Sequence, residues 1–194
     1  NNQEDYYYLS TVFDVINKKY NNMNISYLNK DSFIINNALD IDALFIFGYN
    51  NIDMPLINKI NTYNCNTIIF NDYENSHNTT IHKVFNDDNF KDIKNEKLSD
   101  ASFVTLNTKT IKNSYLSNLF NTDKYNRDIK FFNYMAVNNS NNTIIAYNNN
   151  NTFLNKYNIK GNDFYVFTSS LNLLDNNLPL KGSFIPLVYY LINQ

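Results

Sequence analysis

Apolar residues recur at helical spacing in the opening segment. Tyr8, Leu9, Val12, Phe13, Val15 and Ile16 gather on one face of the stretch from Glu4 to Tyr20 and polar residues fill the other, which predicts an amphipathic helix. NISYL, Asn24 to Leu28, reads as a short strand. ALFIFG, Ala43 to Gly48, is apolar on both alternations and ends in Gly, the pattern of a central strand in a parallel sheet covered on both faces. Pro55 then stands just inside a helix expected to run to about Tyr63 with Leu56, Ile57 and Ile60 inward, and TIIF, Thr67 to Phe70, gives a second buried strand. Strand, helix and strand joined by short links indicate a crossover unit, and so an α/β three-layer sandwich with a mostly parallel sheet.

The pattern weakens from Asn71 to Ser99, where a long loop with one or two short helices is expected. SFVTL, Ser102 to Leu106, reads as an edge strand and Ser114 to Phe120 as a short helix. Ile129 to Val137, Asn142 to Asn148 and Asp163 to Ser169 read as three strands, and the polar NNSNN turn predicts an antiparallel hairpin between the first two. A helix from Ser183 to Leu191 closes the chain, with Ser183 as N-cap and Pro186 in its first turn. No repeat period and no linker rich in Pro, Gly and Ser divides the 194 residues, so a single domain over 1–194 is expected.

Composition modifies this picture in one respect. The chain holds 42 Asn but only three Gly and three Pro, so Asn must supply most turns; it tolerates the left-handed backbone region, and Asn50-Asn51, Asn148 to Asn151 and Asn176-Asn177 are candidates. Ile, Lys, Tyr and Asn enriched together also suggest an AT-rich coding sequence. A net charge of -2 with scattered Lys and Arg lacks the clustered basic surface that nucleic acid requires, so no nucleic-acid partner is expected. No apolar run approaches the roughly 18 residues that span a bilayer, and no transmembrane segment is expected within the chain.

The candidate chemistry is sparse. Cys65 is the one cysteine and precedes the strand Thr67 to Phe70, at the amino end of a parallel sheet, whereas sites form at carboxyl ends; it reads as a structural thiol. After that strand come Asp72, Glu74, His77, His82, Asp87 and Asp88, residue types that bind zinc or a similar cation, but at a spacing that matches no ligand motif and fits a solvated loop. Asp72, Glu74, His77 and His82 are the metal candidates of that set; no metal or other cofactor is assigned. Thr168, Ser169 and Ser170 leave a buried strand at its carboxyl end and, with Asn177, form a possible ligand or partner loop. No Gly-x-Ser-x-Gly elbow surrounds them, which favours turn and cap roles and leaves no catalytic residue assigned. Tyr6-Tyr7-Tyr8 and Tyr189-Tyr190 offer aromatics to a partner surface or to the core.

DIDALFIFGYNNIDMPLINKINTYNCNTIIFND, Asp40 to Asp72, SYLSNLF, Ser114 to Phe120, and YVFTSSLNLLDNNLPLKGSFIPLVYYL, Tyr165 to Leu191, together resemble the class I glutamine amidotransferase-like domain of the aerotolerance-regulator (Bat-type) membrane proteins. Asn64-Cys65-Asn66 stands where the family has a Gly-Gly turn, and the Gly-flanked nucleophile of active amidotransferases has no counterpart. The resemblance implies a flavodoxin-like domain from a longer membrane-anchored protein. It also implies an extracytoplasmic (periplasmic) position at the inner membrane, and protein partners there that include other domains of the same chain. The function it implies is a non-catalytic interaction or scaffold domain. The alternatives are a small-ligand-binding or hydrolytic enzyme using the loops Asp72 to Asp88 and Thr168 to Asn177, or a cytoplasmic protein.

Overall fold

The computed structural model describes residues 2–20, 23–37, 39–71, 80–91, 93–99, 102–122 and 128–193. Among the described residues the strands are β1 (Ala43–Phe47), β2 (Asn66–Phe70), β3 (Lys94–Lys97), β4 (Asn133–Ala136), β5 (Thr143–Ala146), β6 (Thr152–Ile159) and β7 (Asn162–Phe167). The helices are α1 (Asn2–Tyr20), α2 (Lys30–Ile35), α3 (Met54–Ile60), α4 (Ile81–Phe85), α5 (Ser114–Thr122) and α6 (Phe184–Ile192). The larger sheet has the order β1-β2-β7-β6-β5, and β3 and β4 form a separate two-stranded ribbon. β1 to β2 and β2 to β7 are parallel, while β7 to β6 and β6 to β5 are antiparallel, so the sheet is mixed.

Helices cover both faces. Leu9, Val12, Phe13 and Ile16 of α1 join residues of α5 and α6 against Ile68, Phe70, Tyr165 and Phe167. α2, α3 and α4 pack on the other side against Ile46, Ile69, Phe164 and Val166. The alternation along β2 and β7 thus feeds two separate cores. Each of the four α1 side chains is almost fully buried, and each contributes roughly 1.5–3 kcal/mol relative to exposure. Val15, on the expected apolar face, is exposed instead, because the helix buries only the narrower stripe that its neighbours reach.

Several expectations hold closely. β1 and β2 lie where the apolar runs place them, α3 begins at the Asp53 N-cap with Pro in its first turn, and α5 and α6 cover the expected segments. Of the expected Asn turns, Asn148 to Asn151 places Asn150 in the left-handed region at φ 68, the role usually filled by Gly; Asn86, which was not among the expected turns, does the same at φ 51.

Others are corrected. The apolar run Ala43–Phe47 is an edge strand rather than a central one. Residues 24–28 run outside any ladder. Val104 and Leu106 make isolated bridges rather than a strand. β4 pairs with β3, a polar KNEK segment without apolar signal, and β5 forms its hairpin with β6 instead. β6 escapes a pattern reading because Asn155 is fully buried in it, breaking the alternation; Asn155 bonds to Tyr157 and to Thr143. The β6–β7 hairpin turns on Lys160 and Gly161, both at positive φ, as a tight two-residue connection with matching twist requires.

Candidate functional site

The carboxyl ends of β1, β2 and β7 lie side by side in parallel. α4, the next described helix after β2, packs on one face of the sheet, and α6, the helix after β7, packs on the other. Adjacent parallel strands whose connections diverge to opposite faces create the crevice where ligands of open α/β sheets bind.

Thr168, Ser169 and Ser170 follow directly on the carboxyl end of β7, and all three are buried. Their hydroxyls are engaged internally. Thr168 Oγ1 donates to the Thr152 carbonyl at 2.6 Å and lies 3.2 Å from the Tyr147 hydroxyl. Ser169 Oγ accepts from Asn176 Nδ2 at 3.0 Å, and the same amide donates to the Ser170 carbonyl at 2.8 Å. Ser170 Oγ makes a short hydrogen bond to Asp175 Oδ2, and Asp175 Oδ1 accepts from Asn133 Nδ2 at 2.8 Å. Asn176 Oδ1 closes the loop by accepting from the Leu178 N–H at 3.0 Å. Sequence reasoning named the hydroxyls, and Asn176 only as a turn residue, but did not single out Asp175 and Asn176 as their partners or Asn133 as the amide that holds Asp175. Only a burial that the neighbouring Asn-rich composition conceals could have marked these three.

Asn177 has a different task. Its side chain accepts from the Lys130 N–H at 2.8 Å and donates to the Asp128 carbonyl at 3.0 Å, pinning the segment that enters β4. From the β1 side, Tyr49 reaches across the strand ends and donates to the Phe167 carbonyl. Complete burial raises its hydroxyl pKa well above the ordinary value, and that of Tyr147 as well, so both remain neutral donors. Asn71, directly after β2, is 1% exposed, and neither atom of its amide has a partner among the described residues.

Of the metal candidates, only His82 lies among the described residues; Asp72, Glu74 and His77 lie outside them. His82 sits half-buried on α4, Asp87 accepts from Tyr157 and Asn89, and Asp88 pairs with Lys91 at 2.7 Å. Among the described residues no three His, Cys, Asp or Glu side chains form a cluster fit for a metal ion. Cys65 is buried at the amino end of β2, where desolvation, with Asp42 nearby, pushes its thiol pKa up against the lowering effect of Thr67. A thiol held protonated is a poor nucleophile.

The chain matches no protein-family model, no curated protein and no solved structure. Among the described residues, no helix is long and apolar enough to cross a membrane.

Proposed function

We propose that this chain is a non-catalytic interaction or scaffold domain of a membrane-anchored, aerotolerance-type protein. In this reading its fold is flavodoxin-like, akin to class I glutamine amidotransferases, and it works on the extracytoplasmic side of the inner membrane with protein partners. The β1-α3-β2 unit with helices on both sheet faces supports the fold. The observation that carries the function is the self-contained bonding at the carboxyl end of β7. Thr168, Ser169 and Ser170 spend their hydrogen bonds on Thr152, Asn176 and Asp175, so that end is braced rather than poised for attack on a substrate.

Ammonia release from glutamine tests it. The protein is expected to release none above buffer, with Cys65→Ala and Ser169→Ala indistinguishable from the parent. Turnover that either substitution removes would overturn the reading.

Small-ligand binding is the second reading, and the orphaned amide of Asn71 favours it. Thermal-shift measurements with a panel of primary amides and amino acids separate the two. A compound that raises the melting temperature of the parent but not of Asn71→Leu establishes the ligand site, and no shift with any compound leaves the scaffold reading standing.

A further inference from the structure

β1 has the composition of a central strand in the position of an edge strand. Its five residues, ALFIF, contain no charge, Pro or bulge, the devices by which exposed edges are normally blunted. The ladder fixes which backbone groups are open. The Asn66 N–H donates to the Asp42 carbonyl and the Gly48 N–H donates to the Phe70 carbonyl, so the even-numbered positions from Asp42 to Gly48 face β2. Ala43, Phe45 and Phe47 therefore turn their N–H and C=O groups outward. The Asn51 side chain takes the Phe47 carbonyl at 2.7 Å, and the other outward groups have no partner among the described residues.

This edge opens onto a cavity of about 1470 Å³. The buried Leu9, Phe13 and Ile16 of α1 back one side and the buried Phe33 and Leu56 of α2 and α3 back the other, while the half-buried Met23 and Ile25 and the exposed Tyr27 and Leu28 line the groove without a backbone hydrogen bond to β1. A strand laid along β1 would direct successive side chains alternately into these two apolar walls. Charge adds a direction. Lys30 is bonded to Asp53 and Asp163 to Lys156, both at 2.6 Å, whereas the exposed Asp40 and Asp42 have no ion pair among the described residues. The cavity thus carries an unbalanced negative lip where β1 begins.

We propose that the β1 edge accepts an extended segment of a partner protein: a short strand apolar on both alternations, flanked by Lys or Arg at the end that meets Asp40 and Asp42. Main-chain bonds to Ala43, Phe45 and Phe47 supply affinity, the two walls select apolar side chains, and the acidic lip sets the register. The inference rests on the interaction-domain reading and names its surface.

Fluorescently labelled peptides of alternating Val and Ile, with two Lys at either the amino or the carboxyl end, test it against the same peptides carrying two Glu. One orientation of the Lys peptide is expected to saturate, about ten-fold or more tighter than its Glu counterpart. The double substitution Asp40→Lys with Asp42→Lys, both at exposed positions, is expected to reverse that preference. Phe45→Pro, which removes an outward N–H without touching the β2 ladder, is expected to abolish binding. Circular dichroism checks that each variant folds, and the charge reversal decides the matter if Phe45→Pro does not.

Failure of every peptide to saturate overturns the proposal, as does binding indifferent to flanking charge. A concentration-dependent dimer that Phe45→Pro dissolves would assign the edge to a second copy of this chain instead. Failure here leaves the interaction-domain reading intact with another surface, whereas glutamine turnover would sink that reading while peptide binding stayed measurable.

Discussion

Tyr157 shows how single residues hold this protein together. Its hydroxyl donates to Asp87 Oδ2 at 2.7 Å and accepts from Asn155 Nδ2 at 3.0 Å, while its ring stacks on Phe85 at 4.5 Å between centroids. Burial, followed by the neighbouring Asp87 carboxylate, raises its pKa far above the ordinary range, so it is a donor at every pH the fold survives. Tyr157→Phe keeps the stack and removes the donor, leaving the buried Asp87 carboxylate one bond short and Asn155 without its acceptor. The expected cost is about 1–3 kcal/mol, read as a lower urea midpoint with an unchanged slope. Nothing in the sequence marks this triad, because Asp87 meets the Asn155 and Tyr157 pair of β6 only when the segment after α4 is laid against that strand.

At the scale of elements, α3 is specified locally and secured from outside. The Asp53 carboxylate accepts from the Leu56 N–H at 3.0 Å as N-cap, and its other oxygen receives Lys30 at 2.6 Å from the start of α2. Desolvation works against its ionisation, but Lys30 and the Leu56 N–H prevail and hold its pKa below the ordinary 3.8. A depressed carboxylate contributes stability that is present above its unfolded pKa and is lost as pH falls through the folded one. Asp53→Ala is therefore expected to lower stability by about 1 kcal/mol at neutral pH, the usual worth of a cap. The gap between parent and variant should narrow below pH 3.8, as thermal melts at stepped pH would show. The helix itself was legible from Pro55 and the spacing of Leu56, Ile57 and Ile60; its Asp53 cap was not singled out, and the ion pair with Lys30 depends on how α2 packs.

For the molecule as a whole, the buried tyrosines predict its alkaline limit. Tyr49 and Tyr147 are fully enclosed, and burial keeps both hydroxyls protonated well past the ordinary 10.0. Tyr27, hydrogen-bonded to Tyr6 at the mouth of the β1 cavity and slightly desolvated, is pushed up to about 12. Groups whose pKa is raised by folding leave stability complete below the unfolded value and withdraw it as pH climbs, because the unfolded chain ionises first. Tyrosinate absorbance should consequently rise in two steps. The second, steeper step coincides with loss of the circular dichroism signal; a single step with the fold intact would contradict the enclosure of Tyr49 and Tyr147.

Local physics determined much of this protein from its sequence. An amphipathic period makes α1, a Pro behind an Asp cap starts α3, unbroken apolar runs make β1 and β2, and Asn stands in for Gly at the left-handed positions of Asn86 and Asn150. Each of these follows from neighbours a few residues apart. Tertiary structure alone decided that Ala43–Phe47 lies at the sheet edge, that β4 pairs with the polar β3, and that Asn155 can be buried in β6. It also decided that the hydroxyls of Thr168, Ser169 and Ser170 are consumed by Thr152, Asn176 and Asp175. Strand order and the satisfaction of buried polar groups are set by contacts between distant segments, and a pattern of apolar and polar positions records that a residue is buried without recording what meets it.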